Sequence, residues 1–177
     1  PGQIQRSVEE SLNRLQKESV TVLQLHNWIG RNTKGYMVSS ADLLRKGGVL
    51  EGLQRIKDQG LTRHFGITAL GKPASIIEVI NDGRITSAQV YYNLLNPSAG
   101  RTVPPAWEAY DFSGILEACE KGSVAALGIR VFSAGVIATD ARHGRETPLT
   151  KGDTIESETA KANAVFNGIG TEYGTRA

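Results

Sequence analysis

Residues 49–67, with the sequence VLEGLQRIKDQGLTRHFGI, place a helix pattern, a glycine and a strand pattern in direct succession. Leu53 and Ile56 continue an apolar stripe at helical spacing, and Gly60 is the residue type that commonly ends helices. A strand is predicted over residues 62–67, directly after this glycine. A helix that leads through a short turn into a strand is the repeating unit of α/β folds.

The same order of helix, glycine and strand recurs along the chain. Because several copies share one pattern, the sequence predicts alternating helices and strands rather than β-hairpins. The other predicted elements are a helix with Val8, Leu12 and Leu15 before the strand Val20–Leu25, a helix with Ile76, Ile77 and Ile80 before Gly83 and the strand 85–92, a helix with Phe112, Ile115, Leu116 and Cys119 before Gly122 and the strand 123–130, and a last helix from Ile155 to Tyr173.

The predicted strands are mostly apolar on both faces, and two architectures accommodate them. Such strands, alternating with amphipathic helices, form parallel sheets covered by helices. The sheet could belong to a small open doubly wound domain or to part of a (β/α)₈ TIM barrel, which normally needs about 250 residues. The chain begins at Pro1 rather than Met and stops at Ala177 directly after a helical pattern. We therefore expect an α/β fold that is roughly half a barrel, a single partial domain over 1–177 that is truncated at both ends.

The composition argues against several function classes. The 20 basic and 18 acidic residues are scattered and give a net charge of +2, so no basic stripe indicates nucleic acid. No apolar run is long enough to span a membrane, and the first residues lack a signal-peptide pattern. The lone cysteine, Cys119, excludes an internal disulfide and fits a cytoplasmic location. The sequence has no metal-ligand spacing and no phosphate-binding glycine motif, and we expect no metal.

Four segments resemble the aldo-keto reductases. The run SVEESLNRL at 7–15, followed by VTVLQLH at 20–26, is similar to the helix and the His-terminated strand of that family, and GLTRHFGIT at 60–68 is similar to its G-x-x-R-x-x-G-x-S strand. SAQVYYNLLN at 87–96 resembles its Q-x-x-Y-N-L-L segment, and residues 124–137 resemble its seventh strand and following loop. The resemblance covers essentially the whole chain in the family's order and implies strands four to seven of the barrel.

Ligands of parallel α/β folds bind at the carboxyl ends of the strands, where the resemblance also assigns roles. It implies that His26 orients and polarises a substrate carbonyl, and that Gln89 binds the nicotinamide carboxamide. Thr68 stands where the family usually has the Ser of a Ser-Asn pair, and Ala69 lacks the amide, which implies an altered carboxamide contact. From the residues alone, a His that satisfies nearby polar groups and a generic buried Gln remain alternatives.

The segment 130–135 resembles the family's loop beside the nicotinamide and pyrophosphate, which implies cofactor contacts from Arg130, Phe132 and Ser133. Many members carry an aromatic ring that stacks on the nicotinamide where this chain has Ile129. Arg130 could reach a phosphate as a charged donor or, alternatively, form a salt bridge at the strand end. The substrate-pocket candidates are Asn27, Trp28 and Tyr92. Neither His64, in mid-strand, nor His143, in a charged loop, is expected in the site.

The resemblance implies an oxidoreductase that interconverts an alcohol and the carbonyl of an aldehyde, ketone or sugar, with NADP as the expected cofactor and NAD as the alternative. The Asp, Tyr and Lys that complete the family's tetrad have no matching motif here, so we expect the isolated chain to be inactive. One alternative is a non-catalytic family relative that binds nicotinamide as a sensor or partner subunit. Another is an unrelated, complete doubly wound binding domain, which requires the strand Val20–Leu25 to lie inside the sheet.

Two open sheet edges are expected, at Val20–Leu25 and at 123–130. Because open edges and an uncovered apolar face are unfavourable, the isolated chain should be marginally stable or should dimerise. The sequence leaves the oligomeric state open.

Overall fold

The computed structural model describes residues 2–107, 109–147 and 154–169. The chain forms two compact units, one of Pro1–Val90 with Gly114–Leu127 and one of Tyr91–Ser113 with Gly128–Ala177. In chain order the elements are α1 (Gly2–Leu15), β1 (Val20–Leu25), β2 (Trp28–Gly30), β3 (Met37–Ser39), α2 (Ser40–Leu44), α3 (Val49–Asp58), β4 (Thr62–Thr68), α4 (Pro73–Asn81), β5 (Ser87–Tyr91), α5 (Ile115–Lys121), β6 (Ala125–Ile129), a 3₁₀ turn (Ser133–Gly135) and α6 (Ile155–Ile169).

The main sheet contains four parallel strands in the order β1-β4-β5-β6. Leu25 of β1 lies opposite Ile67 of β4, and Thr68 of β4 lies opposite Gln89 of β5. Helices connect successive strands, so all the strands of this sheet run the same way and end at the same edge. Among the described residues, β1 and β6 are the edge strands, as predicted. The doubly wound alternative, which requires β1 inside the sheet, is therefore wrong.

Helices cover one face of the sheet in the first unit. Leu12 of α1 packs with Ile56 of α3 and with Leu23 of β1. Successive side chains of a strand point to opposite faces, so Val22 lies on the face away from these helices. Val22 is 40% exposed, and its register partner His64 is exposed too. Burial of a side chain such as Leu12 or Ile56 contributes about 1.5–3 kcal/mol, and this helix-covered face is where the unit gains its stability.

Glycines in the left-handed conformation follow α3 and α4, as the sequence predicts. Gly60 has a φ of +77° and Gly83 has a φ of +84°. Glycine adopts these angles without the steric cost that other residues meet, so the chain can turn there towards β4 and β5. The third copy of the helix-glycine-strand pattern differs. Gly122 after α5 has a φ of −82°, and the left-handed angle, +53°, is taken by Ser123.

The second unit has a small core of its own. Leu95, Val136 and Ala162 form its buried centre, to which α6 contributes Ala162. Tyr91 stacks on Phe112, with ring centroids 5.1 Å apart and 13° between the ring planes. The sequence pattern predicts Phe112 in the helix that corresponds to α5, but Phe112 lies before that helix, which begins at Ile115. Its ring belongs to the aromatic packing of the loop between β5 and α5.

Three short elements, β2, β3 and α2, were not predicted. β2 pairs in parallel with β3, and it is held to the chain after β4 by hydrogen bonds from Ile29 N–H to Leu70 O (2.8 Å) and from Lys72 N–H to Ile29 O (2.7 Å). Strands of three residues are too short to show a hydrophobic period. These elements therefore depend on contacts between distant residues, which a local sequence pattern does not predict.

The predicted bounds of the longer elements are close to those observed. β1 has the predicted limits, β4 extends through Thr68, and β5 and β6 are shorter than predicted. The last helix is seen up to Ile169, and Tyr173, its predicted end, lies outside the described residues. Within the described ranges, no helix combines the length and apolar character needed to cross a bilayer.

Candidate active site

Parallel strands bring three predicted site residues to one edge of the sheet in the first unit. Thr68 is the last residue of β4 and is the register partner of Gln89 in β5. His26 follows Leu25, the last residue of β1, whose register partner Ile67 precedes Thr68. Neighbouring strands of a sheet lie about 4.8 Å apart. His26, Thr68 and Gln89 therefore occupy adjacent positions at the carboxyl edge, where α/β folds bind ligands.

A hydrogen bond orients the side chain of Gln89. Thr68 is 2% exposed, and its hydroxyl donates to Gln89 Oε1 over 2.8 Å. This bond engages the acceptor end of the amide, and no residue in the described ranges accepts a hydrogen bond from Gln89 Nε2. Gln89 is half-buried. An amide with an engaged acceptor and an available donor suits a ligand that offers a carbonyl oxygen.

Ala69 stands where the family usually has the Asn of its Ser-Asn pair, and the structure shows how the alanine is accommodated. Ala69 is fully buried, and its backbone N–H donates to Gln89 O over 2.8 Å. Its methyl group offers no hydrogen bond to a ligand. The polar side-chain contacts available from the end of β4 are therefore those of the Thr68 hydroxyl, which is already bonded to Gln89.

His26 is exposed. It lines a cavity of about 310 Å³ together with Asn27, Gln24 and apolar residues of α1, β1 and α3. Asn27 Nδ2 donates to Tyr36 O over 3.1 Å, and Trp28 N–H donates to the same carbonyl over 3.1 Å. These bonds hold the segment after β1 against the start of β3. Asn27 and Trp28 thus help to shape the surroundings of His26, and their contact with a substrate stays a prediction.

The loop after β6, in the second unit, has an uncommon backbone. Arg130, Ser133 and Ala134 have φ angles of +58°, +46° and +55°, and Gly135 has a φ of +94°. A non-glycine residue in the left-handed region costs on the order of 1–2 kcal/mol. Such conformations persist where the surroundings fix them, and they cluster at ligand sites.

Arg130 lines a cavity of about 550 Å³ in this second unit. Arg130 Nη1 donates to Thr147 O over 2.7 Å. Within the described ranges, no carboxylate forms a salt bridge with Arg130, so the salt-bridge alternative is not seen there. His143 and Arg145 line the same cavity. The sequence predicts His143 to lie outside the site and assigns no role to Arg145. A local pattern cannot show that a loop returns to the end of a distant strand.

One acidic residue also lines the Arg130 cavity. The Glu146 carboxylate accepts a hydrogen bond from His143 N–H over 2.7 Å, and this backbone bond lowers the pKa of Glu146. The ionised carboxylate opposes an anion, whereas the guanidinium groups of Arg130 and Arg145 attract one. Two guanidinium groups against one carboxylate leave the lining basic.

The other predicted residues of this unit differ in accessibility. Phe132 is 64% exposed, and Tyr92 is exposed, with its N–H donating to Ile129 O over 3.4 Å. Ser133 is 3% exposed; its hydroxyl donates to Glu158 and its N–H donates to Arg130 O. Because both Ser133 donors are engaged, a cofactor contact from Ser133 would require one of these bonds to break, and that contact stays a prediction.

The sequence profile of the Aldo/keto reductase family matches residues 1–177. The chain belongs to this family. Among solved structures, this family member is similar to the holo form of an aldo-keto reductase from Bacillus halodurans, with 19% identity and a TM-score of 0.58 over 83% of this chain and 41% of that chain. It is also similar to the glycerol dehydrogenase of Gluconobacter oxydans, with 20% identity and a TM-score of 0.58 over 91% of this chain and 41% of that chain.

At 19% and 20% identity, the similarity to these two solved structures shows a shared fold. The chain spans 41% of the length of each of these two relatives. A comparison with curated proteins gave no match. Four parallel strands with their helices match part of the barrel of these reductases. The predicted partial TIM barrel is therefore confirmed.

Proposed function

We propose that the full-length protein is a nicotinamide-dependent oxidoreductase that interconverts a carbonyl group and an alcohol, with NADP as its cofactor and NAD as the alternative. The single observation that supports this most is the Thr68–Gln89 pair, which presents an amide donor at the carboxyl edge of the sheet beside the position of His26. Membership of the aldo/keto reductase family supports the same chemistry.

The residues present fit a nicotinamide cofactor. Gln89 Nε2 would donate to the oxygen of the carboxamide, because Thr68 engages the other end of the Gln89 amide. Taken by itself, the second unit has a basic cavity, lined by Arg130 and Arg145, whose guanidinium groups would suit a phosphate group. The bound nicotinamide would supply the hydride. An N–H of the His26 imidazole would donate to the substrate oxygen, stabilising the negative charge that grows there as the carbonyl is reduced.

We further propose that residues 1–177 form part of one barrel domain and do not turn over substrate by themselves. The proton donor of the family's tetrad and the residues that adjust its pKa have no matching motif in this sequence. The substrate would be a small aldehyde, ketone or sugar, with no nucleic acid or membrane partner. The lone cysteine, Cys119, fits a cytoplasmic location.

A non-catalytic relative that binds nicotinamide is the second candidate. The buried Ala69 and the aliphatic Ile129 favour it, because they replace an amide contact and an aromatic ring that many family members direct at the nicotinamide. Such a protein would act as a sensor or as a partner subunit.

The test is carbonyl reduction by the full-length protein, followed as oxidation of NADPH or NADH with a panel of aldehydes, ketones and sugars. His26→Ala should lower kcat/KM by about 10²- to 10³-fold, the typical loss for one donor to a developing oxyanion. His64→Ala is the matched control, since His64 lies within β4 rather than at its end, and it should change kcat/KM less than about twofold. Binding of NADPH or NADH without turnover would select the non-catalytic candidate, and the absence of both binding and turnover with either cofactor would overturn the proposal.

A further inference from the structure

Asn93 received no role from the sequence, yet its side chain joins two loops of the second unit. It is 6% exposed and follows Tyr91, the last residue of β5, by two positions. Asn93 Oδ1 accepts hydrogen bonds from the N–H groups of Leu95 and Asn96, each over 2.8 Å. Asn93 Nδ2 donates to Arg130 O, 37 residues away, over 3.0 Å. One amide therefore fixes its own turn and reaches the loop after β6.

The carbonyl that Asn93 binds belongs to a residue in an uncommon conformation. Arg130 has a φ of +58°, an angle that few non-glycine residues adopt. The same carbonyl accepts a second hydrogen bond, from Ser133 N–H over 2.8 Å. Two donors on one oxygen hold the peptide plane after Arg130. The direction in which the Arg130 side chain leaves the backbone is held with it.

We propose that Asn93 is the positioning residue of the Arg130 cavity: by holding the Arg130 carbonyl, it keeps the guanidinium directed at a phosphate-bearing ligand. Asparagine suits this role because one short side chain must both accept two N–H bonds and donate one. The proposal rests on the proposed function, in which this cavity takes phosphate groups.

The test compares Asn93→Asp with wild type in the full-length protein. Aspartate keeps the acceptor for Leu95 N–H and Asn96 N–H and lacks the donor to Arg130 O. Dissociation constants for NADPH and for inorganic pyrophosphate are measured by titration calorimetry, with and without a second change, Arg130→Ala. Asn93→Asp should raise both constants about tenfold when Arg130 is present and less than about twofold when it is absent, because coupled residues are not additive.

Asn96→Asp is the matched control. Asn96 is a buried amide of the same loop, 5% exposed, and its Nδ2 donates to Tyr110 O rather than to Arg130. It should lower the melting temperature as Asn93→Asp does and leave both dissociation constants within about twofold of wild type. Asn93→Ser keeps a donor in a smaller side chain, and its dissociation constants should fall between those of wild type and Asn93→Asp. If Asn93→Asp does not fold, Asn93→Ser replaces it in the comparison with and without Arg130→Ala.

The outcomes separate this role from the proposed function. Three results would overturn the positioning role: dissociation constants that do not change in Asn93→Asp, an equal loss of affinity when Arg130→Ala is also present, or an equal loss of affinity in Asn96→Asp. If wild type still binds NADPH, the proposed function stands in each case. Pyrophosphate binding that depends on Asn93, without binding of NADPH or NADH, would support the positioning role and overturn the proposed function. Binding of neither ligand by wild type would overturn both.

Discussion

Replacing Gly66 by alanine should destabilise the first unit strongly, because β4 passes β5 with no room for a methyl group at this point. Gly66 lies in β4 opposite Ser87 of β5 and Gln24 of β1. A Cβ on Gly66 would lie 2.1 Å from Ser87 O, 2.3 Å from Ser87 Oγ and 2.8 Å from Gln24 Oε1. The nearest atom is a backbone oxygen, so moving a flexible side chain does not relieve the clash.

The size of the effect follows from what must move. Overpacking in a core costs about 1–3 kcal/mol, and displacing β5 also weakens the Gln24 Nε2 to Ser87 Oγ hydrogen bond, worth about 1 kcal/mol. We expect Gly66→Ala to lower the free energy of unfolding by about 3 kcal/mol, a large part of the about 5–15 kcal/mol that holds a typical domain. For a chain of this size, that corresponds to a fall in melting temperature of about 6–12 °C.

Chemical denaturation followed by circular dichroism measures this difference. Gly128→Ala is the control, since Gly128 is also a strand glycine and a Cβ there would meet its nearest atom, of Val131, only at 3.9 Å. It should be neutral or slightly stabilising, because alanine restricts the unfolded chain. If Gly66→Ala unfolded within about 0.5 kcal/mol of Gly128→Ala, the spacing of β4 and β5 described here would be refuted.

Two further predictions concern titratable groups. Hydrogen bonds from Thr33 and Ser39, together with Arg45, lower the pKa of Asp42 below its ordinary 3.8. The stabilisation from ionised Asp42 is therefore present above about pH 4 and lost as the pH falls through the lowered pKa. Asp42→Asn should flatten the acid side of a plot of unfolding free energy against pH. Parallel plots for variant and wild type would contradict this. Cys119 is 2% exposed and burial raises the pKa of its thiol, so a thiol reagent should modify it only as the protein unfolds; rapid modification of the native protein would show that this part of the core is open.

The helix-strand repeats could be predicted because their hydrophobic periods are long enough to be distinct. The strand Val20–Leu25 has the predicted limits, and Gly83 takes the left-handed angle expected after a helix. The two edge strands also follow from the sequence, since consecutive βα units place consecutive strands side by side.

The short elements after β1 could not be predicted in this way. β2 is fixed by Ile29, which bonds to the backbone on both sides of Gly71. Gly71 has a φ of +121°, and a Cβ there would lie 2.0 Å from Ile29 O. The sequence shows a glycine at this position, but it does not show which strand passes against it.

The candidate site was predicted in its residue types and not in its bonding. Parallel strand ends and the family resemblance led to His26, Thr68 and Gln89, which the register places at adjacent positions. The Thr68–Gln89 bond depends on side-chain conformation and on neighbouring strands, which lie 21 residues apart in sequence. The approach of Arg145 to Arg130 depends on the path of a loop with no periodic pattern.

The most direct test of the nicotinamide site is the dissociation constant of NADPH for Gln89→Glu in the full-length protein. Glutamate can still accept from the Thr68 hydroxyl but lacks the amide donor, so it isolates the group that should hold the carboxamide. Gln54→Glu on α3 is the control, because Gln54 bonds to Asp58 within its own helix. We expect Gln89→Glu to weaken NADPH binding about tenfold or more, the equivalent of about 1.4 kcal/mol, with Gln54→Glu unchanged; equal affinity in both variants would contradict the site.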